Sequence, residues 1–186
     1  ETLIDFLIKP RLDVFIDEMD SIDLKIAARF FCKSEKLPVV MATDNGDGII
    51  LDIERFDLEP NRPILHGLLG EGVKPEDFTN LGFRDWLQLA TKIVGPEYLT
   101  GRMQESLLEI GKSIVAIPQL GPSAMMAGAA VAFAVRYIVT GLNLPSGRYL
   151  INLEERILPG YNSPEQQVAR EEKTNNFKQT FGKPSE

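Results

Sequence analysis

The sequence predicts an α/β fold built on a mixed sheet, and three observations predict it. Leu12 to Ile16 is an apolar run of strand-forming residues, a helical pattern follows it, and Val39-Val40-Met41-Ala42 is a second apolar run. Strand, helix, strand is the unit that builds parallel sheets. Asp44-Asn45-Gly46-Asp47-Gly48 is then dense in turn residues and leads into another strand, Ile49 to Phe56. A loop that short makes a hairpin, so this strand runs antiparallel to the one before it. Finally, Arg148 to Leu153 reads as a closing strand after the longest apolar helix.

Each element has a local reason. Glu1 to Ile8 places Leu3, Ile4 and Leu7 at helical spacing, and Lys9-Pro10 ends that pattern. Few polar residues interrupt Leu12 to Ile16, as expected of a strand buried on both faces. Ser21 stands where an N-cap belongs, and Ile22, Ile26, Phe30 and Cys32 through Lys36 read as a helix closed by Leu37-Pro38. From Asp57 to Leu81 the chain is rich in Pro and Gly and has no periodicity. An aperiodic stretch of roughly 25 residues in a compact domain is often functional or mobile.

Helices are expected at Phe83 to Ile93, from Pro96 (a favoured first helical residue) to about Ile110, and from Gly121-Pro122-Ser123 to Thr140-Gly141. Leu142 to Ser146 turns the chain into the last strand. Residues 1–159 therefore read as one folded unit. Residues 160–186 read as a polar tail, either a surface helix or disordered. There is no internal repeat.

Composition excludes several function classes. At 186 residues with 44% apolar content the chain can bury a core of its own. A net charge of -7 argues against nucleic acid as a partner, which needs a clustered basic surface. The single cysteine, Cys32, excludes an internal disulfide and a multi-cysteine zinc site. One thiol and no possible internal disulfide fit a cytoplasmic setting, and Glu1 to Lys9 has neither the basic start nor the cleavage pattern of a signal peptide. Ser123 to Gly141 is the nearest approach to a membrane span. Arg136 inside it is costly in lipid, so it is read as a core helix and no membrane partner is expected.

The chemistry concentrates where the first strand ends. Leu12-Asp13-Val14-Phe15-Ile16-Asp17-Glu18-Met19-Asp20-Ser21 carries an apolar strand straight into two carboxylates three apart, with Lys25 one helical turn on. Spacing alone allows a bland account, with Asp17 ending the strand and Asp20, Ser21 or Asp23 capping the helix. It also allows a functional one. Ligands of open α/β sheets bind outside the carboxyl ends of strands, and acidic groups there suit magnesium beside a phosphate. By the same crevice rule Asp44, at the end of the second strand, is a candidate beside a nucleotide.

Other features read as ordinary. His66 is a lone loop histidine, Asp44 to Gly48 lacks the spacing of a calcium loop, and Cys32 is a buried hydrophobe. Phe78, Phe83, Trp86 and Leu87 form an apolar cluster. Gly67, Gly70 and Gly72 do not lie between a strand and a helix, so they cannot be a phosphate-binding turn.

An apolar strand, Asp17-x-x-Asp20, Ser21 and Lys25 together resemble the second-half signature of the ubiquitin-activating-enzyme-like ThiF/MoeB adenylyltransferases, Asp-x-x-Asp-Asn with an Arg four residues after the Asn. Val39 to Leu58 resembles the passage of bacterial ThiF-domain proteins that follows it. Pro118-Gln119-Leu120-Gly121 before a small-residue helix, and Pro145-Ser146-Gly147-Arg148-Tyr149 before a strand, resemble the family's closing elements. The resemblance covers most of Leu12 to Leu153.

It implies a Rossmann-like three-layer fold of which this chain is the C-terminal half. It also implies ATP and Mg2+ as cofactors and, as partner, a ubiquitin-like or sulfur-carrier protein whose C-terminal carboxylate is adenylated. A homodimer is implied as well. Asp20 would be the metal ligand and catalytic, Ser21 would contact nucleotide, and Lys25, in the place of the arginine, would also be catalytic by adding electrostatic support, with Asp17 supporting the site. Ser21 and Lys25 depart from the family pattern, and Lys25 gives up planar bidentate contacts. The family's G-x-G-x-x-G turn, ribose-binding acid and catalytic Arg and Lys belong to a first half. The 186 residues alone are therefore expected not to hold ATP firmly. The alternative is a non-catalytic scaffold or dimerisation module with the same fold. A dinucleotide oxidoreductase would need the same missing turn.

Overall fold

A computed structural model describes Asp5, residues 12–70 and residues 72–181. The helix expected at Glu1 to Ile8 lies outside the described residues apart from Asp5. Four strands, β1 (Phe15–Ile16), β2 (Val39–Asn45), β3 (Gly48–Glu54) and β4 (Gly147–Asn152), form one sheet in that order. β1 and β2 are parallel, with Phe15 opposite Val39, while β2–β3 and β3–β4 are antiparallel. The sheet is mixed, as the sequence predicts.

Helix α1 (Ile22–Ser34) makes the crossover between the parallel strands. It forms because Ile22, Ile26 and position 29 fall at i, i+4, i+7 and bury one stripe. Phe30, read as part of that stripe, is instead exposed. Helices α2 (Phe83–Val94), α3 (Gly101–Glu109), α4 (Gly121–Val139), α5 (Leu153–Ile157) and α6 (Pro164–Phe181) follow.

Helices cover both faces of the sheet. On one face Phe15, Val39 and Met41 pack with Ile22, Ile26 and Cys32 of α1 and with Ile93 of α2. On the other, Val40, Ala42, Ile49, Leu51 and Ile53 pack against Ala127, Val131 and Ala134 of α4. The period-2 alternation of β2 and β3 sends successive residues to opposite faces, and both faces are apolar because both are covered. α4 is long and apolar enough to cross a membrane by length and composition, and in this structure its inner side lies on the sheet.

Several expectations need correction. β1 is two residues long rather than the whole of Leu12 to Ile16, because only Phe15 and Ile16 face β2 partners. The helix expected from Pro96 begins at Gly101, with Thr100 as its N-cap accepting from the Met103 amide. Buried Asn45 pulls the intervening backbone out of helical geometry, since its Nδ2 donates to Tyr98 O at 2.6 Å and its Oδ1 accepts from Thr100 N at 3.0 Å. The last strand ends at Asn152, whose side chain caps α5.

The aperiodic stretch contains two short 3-10 turns, Ile64–Gly67 and Pro75–Phe78, and buries Ile64, Leu65 and Leu69 under α1. Of the two readings of the tail, the helix is the one observed. Phe177 of α6 is buried with Leu87, Leu99, Met103 and Leu107 in a satellite cluster.

Candidate functional site

The parallel pair β1–β2 ends at one side of the sheet, and a cavity of about 780 Å³ opens there. Asp17, Glu18, Asp20 and Lys25 line it from the β1–α1 turn, and Thr43 and Asp44 from the end of β2. Phe83, Trp86 and Ile93 come from α2, Val115 to Gln119 from the α3–α4 connection, and Ala124, Ala127, Gly128 and Val131 from α4. Mostly apolar walls with a few convergent polar groups are what a small-molecule site has. Four of the residues singled out in the sequence, Asp17, Asp20, Lys25 and Asp44, thus share one cavity.

The turn that presents Asp20 is held from beneath. The Asp17 amide continues the ladder by donating to Val40 O at 2.9 Å, and Asp17 Oδ1 then accepts from Met19 N at 3.1 Å, which bends the chain. The other carboxylate oxygen, Oδ2, accepts from Lys25 Nζ at 2.9 Å and from Arg29 Nη1. Arg29 is wholly buried and also donates through Nε to Glu54 Oε2 at 2.6 Å. Burial pushes the Asp17 carboxyl up, but Arg29 and Lys25 outweigh it and hold the group below its ordinary range. Burial, with the nearby Arg29 charge, holds the Lys25 ammonium below its ordinary range despite Asp17, whereas Arg29 is raised despite burial by Glu54 and Asp17. Arg29 is therefore the cation that the network keeps firmly charged.

Asp20 is different. Its carboxylate takes no hydrogen bond from any described residue, while its backbone carbonyl accepts from Trp86 Nε1 at 3.3 Å. Glu18 Oε1 accepts from Ala42 N at 3.2 Å, and partial burial raises that carboxyl. Asp44 is raised by burial too, offset by a hydrogen bond from Ser123 at the start of α4. Ser21 occupies the N-cap position without capping, since its hydroxyl bonds the Asp23 carboxylate instead. Lys25 is the one cationic residue among those lining the cavity, and its ammonium is engaged by Asp17 and by Met41 Sδ at 3.3 Å.

Among the described residues no three His, Cys, Asp or Glu side chains gather as a metal cage. The available donors are Asp20, with Glu18 and Asp44 on the same cavity. Such a set fits a magnesium ion that arrives with phosphates, which takes one or two carboxylates and keeps its other positions for phosphate oxygens and water.

Sequence reasoning missed Arg29, Glu54 and Glu18. A usable signal existed for the first two: Arg29 falls on the apolar stripe of its helix, and Glu54 interrupts the mostly apolar run of the third strand. His66 meets Arg62 Nη2 through Nδ1 at 2.9 Å, and its Nε2 lies 2.9 Å from the Asp52 carboxylate. Cys32 is buried within the α1-side core, and burial pushes its thiol up to about 12, which suits packing rather than nucleophilic chemistry.

No family model matches the chain, and no solved structure matches it. The chain is similar to a protein of Mycobacterium tuberculosis (strain CDC 1551 / Oshkosh) described as "Uncharacterized protein MT1398", with 37% identity over 142 residues. That match takes in 76% of this chain and 19% of the relative, so the chain spans about a fifth of the length of the protein it matches.

Proposed function

We propose that the cavity is the magnesium-binding half of a nucleotide site in an ATP-dependent adenylyltransferase of the ThiF type, within a Rossmann-like three-layer domain. Its acceptor substrate is the C-terminal carboxylate of a ubiquitin-like or sulfur-carrier protein. The observation that carries this reading is Asp20, a carboxylate that no described residue hydrogen-bonds, presented by the turn after the parallel strand β1 and lining a cavity large enough for a ligand.

In the reaction a carboxylate oxygen of the carrier bonds to the α-phosphorus of ATP. The bond to the bridging oxygen breaks, and its electron pair leaves with pyrophosphate. Magnesium, when bound, neutralises charge on the phosphate oxygens during that displacement. The chain's own residues supply position. Asp20 would hold the metal, Asp44 borders the nucleotide, and Lys25 acts through Asp17 by fixing the turn, whereas Ser21, bonded to the Asp23 carboxylate, is not among the residues lining the cavity. The apolar wall of Ile93, Val94, Ala127 and Val131 excludes water. The acidic lining repels a bare triphosphate, so binding should require the metal. The cations and glycine-rich turn that the chemistry also needs are, in this reading, supplied by another stretch of the intact protein.

ATP–pyrophosphate exchange by the intact protein tests this. Asp20→Ala should lower exchange by roughly 100-fold or more, and unchanged exchange removes Asp20 from the site. One observation favours the second reading, a non-catalytic scaffold: Lys25, the one cation on the cavity among described residues, is already spent on Asp17. Failure of the wild-type protein to bind ATP or exchange pyrophosphate would decide for the scaffold.

A further inference from the structure

Arg29 sits under the candidate site without touching the cavity. Its guanidinium is wholly buried and bonds Asp17 Oδ2 through Nη1, Glu54 Oε2 through Nε, and the Lys25 carbonyl through Nη1 at 3.2 Å. Glu54 uses its other oxygen, Oε1, to accept from Leu65 N at 2.6 Å. Leu65 and His66 have φ of 47° and 55°, a left-handed conformation that side chains rarely adopt and that a firm partner must hold. One continuous chain of bonds to charged side chains therefore joins the turn bearing Asp20 to the Ile64–Gly67 turn, through Asp17 after β1, Arg29 on α1 and Glu54 on β3.

We propose that Arg29 is a positioning residue for metal binding: through Asp17 it sets the Asp17–Asp20 turn, and through Glu54 it braces that turn against Ile64–Gly67. Resting on the function proposed above, this assigns Arg29 and Glu54 a role in how tightly Asp20 holds its metal. The planar fork of arginine is what lets one side chain serve two carboxylates in fixed directions, and lysine cannot do so. Residues that orient a metal ligand from behind usually change metal affinity by 10- to 100-fold when altered.

The test is Mn2+ binding to the intact protein in the presence of ATP, read by electron paramagnetic resonance, in wild type, Asp20→Ala, Arg29→Lys, Glu54→Gln and Phe177→Ala. Phe177→Ala is a control that loses stability in a buried cluster containing none of Asp17, Arg29 or Glu54. Half-saturation should move up by roughly 10- to 100-fold in Arg29→Lys and in Glu54→Gln, and stay at the wild-type value in Phe177→Ala. If Arg29→Lys does not fold, Glu54→Gln decides, because glutamine keeps the shape and the acceptor for Leu65 N. Loss of binding in Asp20→Ala with wild-type half-saturation in the folded Arg29 and Glu54 variants overturns the positioning role alone. A shift in Phe177→Ala equal to theirs overturns it too, as general destabilisation. Wild-type binding in Asp20→Ala overturns the function on which the proposal rests.

Discussion

Asp17 is a carboxylate that folding takes out of water and then compensates. Two cations face one of its oxygens and an amide faces the other. Because its folded pKa is depressed, the folded state keeps the charge at pH values where the unfolded chain begins to bind a proton. The stability it contributes is fully present above the unfolded value of about 3.9 and is lost as pH falls through the folded value. Denaturant melts of the wild type should therefore lose stability steeply as the pH drops below about 4. Asp17→Asn should be less stable at neutral pH, by about 3 kcal/mol, and should show a shallower acid loss. Equal acid slopes in the two proteins would show that Asp17 is not depressed. The motif around Asp17 was legible because its parts are adjacent in sequence. Its partners were not. Arg29 meets Glu54 across 25 positions, and nothing local ties a helix residue to a strand that far away.

At the scale of elements, the β2–β3 hairpin shows how one turn positions a distant helix. Gly46 has φ of 64° and heads a two-residue turn between Asn45 and Gly48, the place where a glycine suits a type II′ hairpin. A Cβ at position 46 would lie 2.8 Å from Thr100 Oγ1, the atom that caps α3. Backbone strain and the clash act together, so Gly46→Ala should destabilise by more than about 1 kcal/mol. Amide exchange in the first turn of α3 should quicken at the same time, and unchanged exchange there would break the link between hairpin and cap. The hairpin itself was readable from its turn residues, as were the extents of α1 and α4. The start of α3 was not, because a proline at position 96 favours a helix locally while Asn45 claims the same backbone from across the fold. Local preference lost to a tertiary bond. α6 was ambiguous for a related reason: its sequence is polar almost throughout, and its docking rests on Phe177 and Phe181 meeting α2 and α3.

Across the whole molecule, the two faces of the sheet are not finished alike. Among the described residues, the α1 side is closed over by α1, α2 and residues such as Ile64, Leu65 and Leu69, whereas α4 is the helix that covers the other. Ser123, Ala127, Val131 and Ala134 of α4 face inward, and the opposite side of the same helix leaves Met125 79%, Phe133 43% and Val139 56% exposed. Even its one charge lies flat, with the Arg136 guanidinium 5.6 Å from the Phe133 ring centre and 4.9 Å from that of Tyr137. β4 extends the patch, since Tyr149 and Ile151 pair with Leu51 and Ile49 and share their face, and both are more than a third exposed. Exposed apolar residues of this kind suit a protein contact, and the homodimer expected from the sequence would use them as an isologous interface. Met125→Glu combined with Phe133→Glu should convert a dimer to a monomer in sedimentation equilibrium, because a carboxylate buried without a partner is costly. The thermal midpoint at low protein concentration should stay near that of the wild type, since neither side chain reaches the core. A wild-type protein that sediments as a monomer at all concentrations would end the homodimer reading, and a dimer that survives both substitutions would move its interface elsewhere.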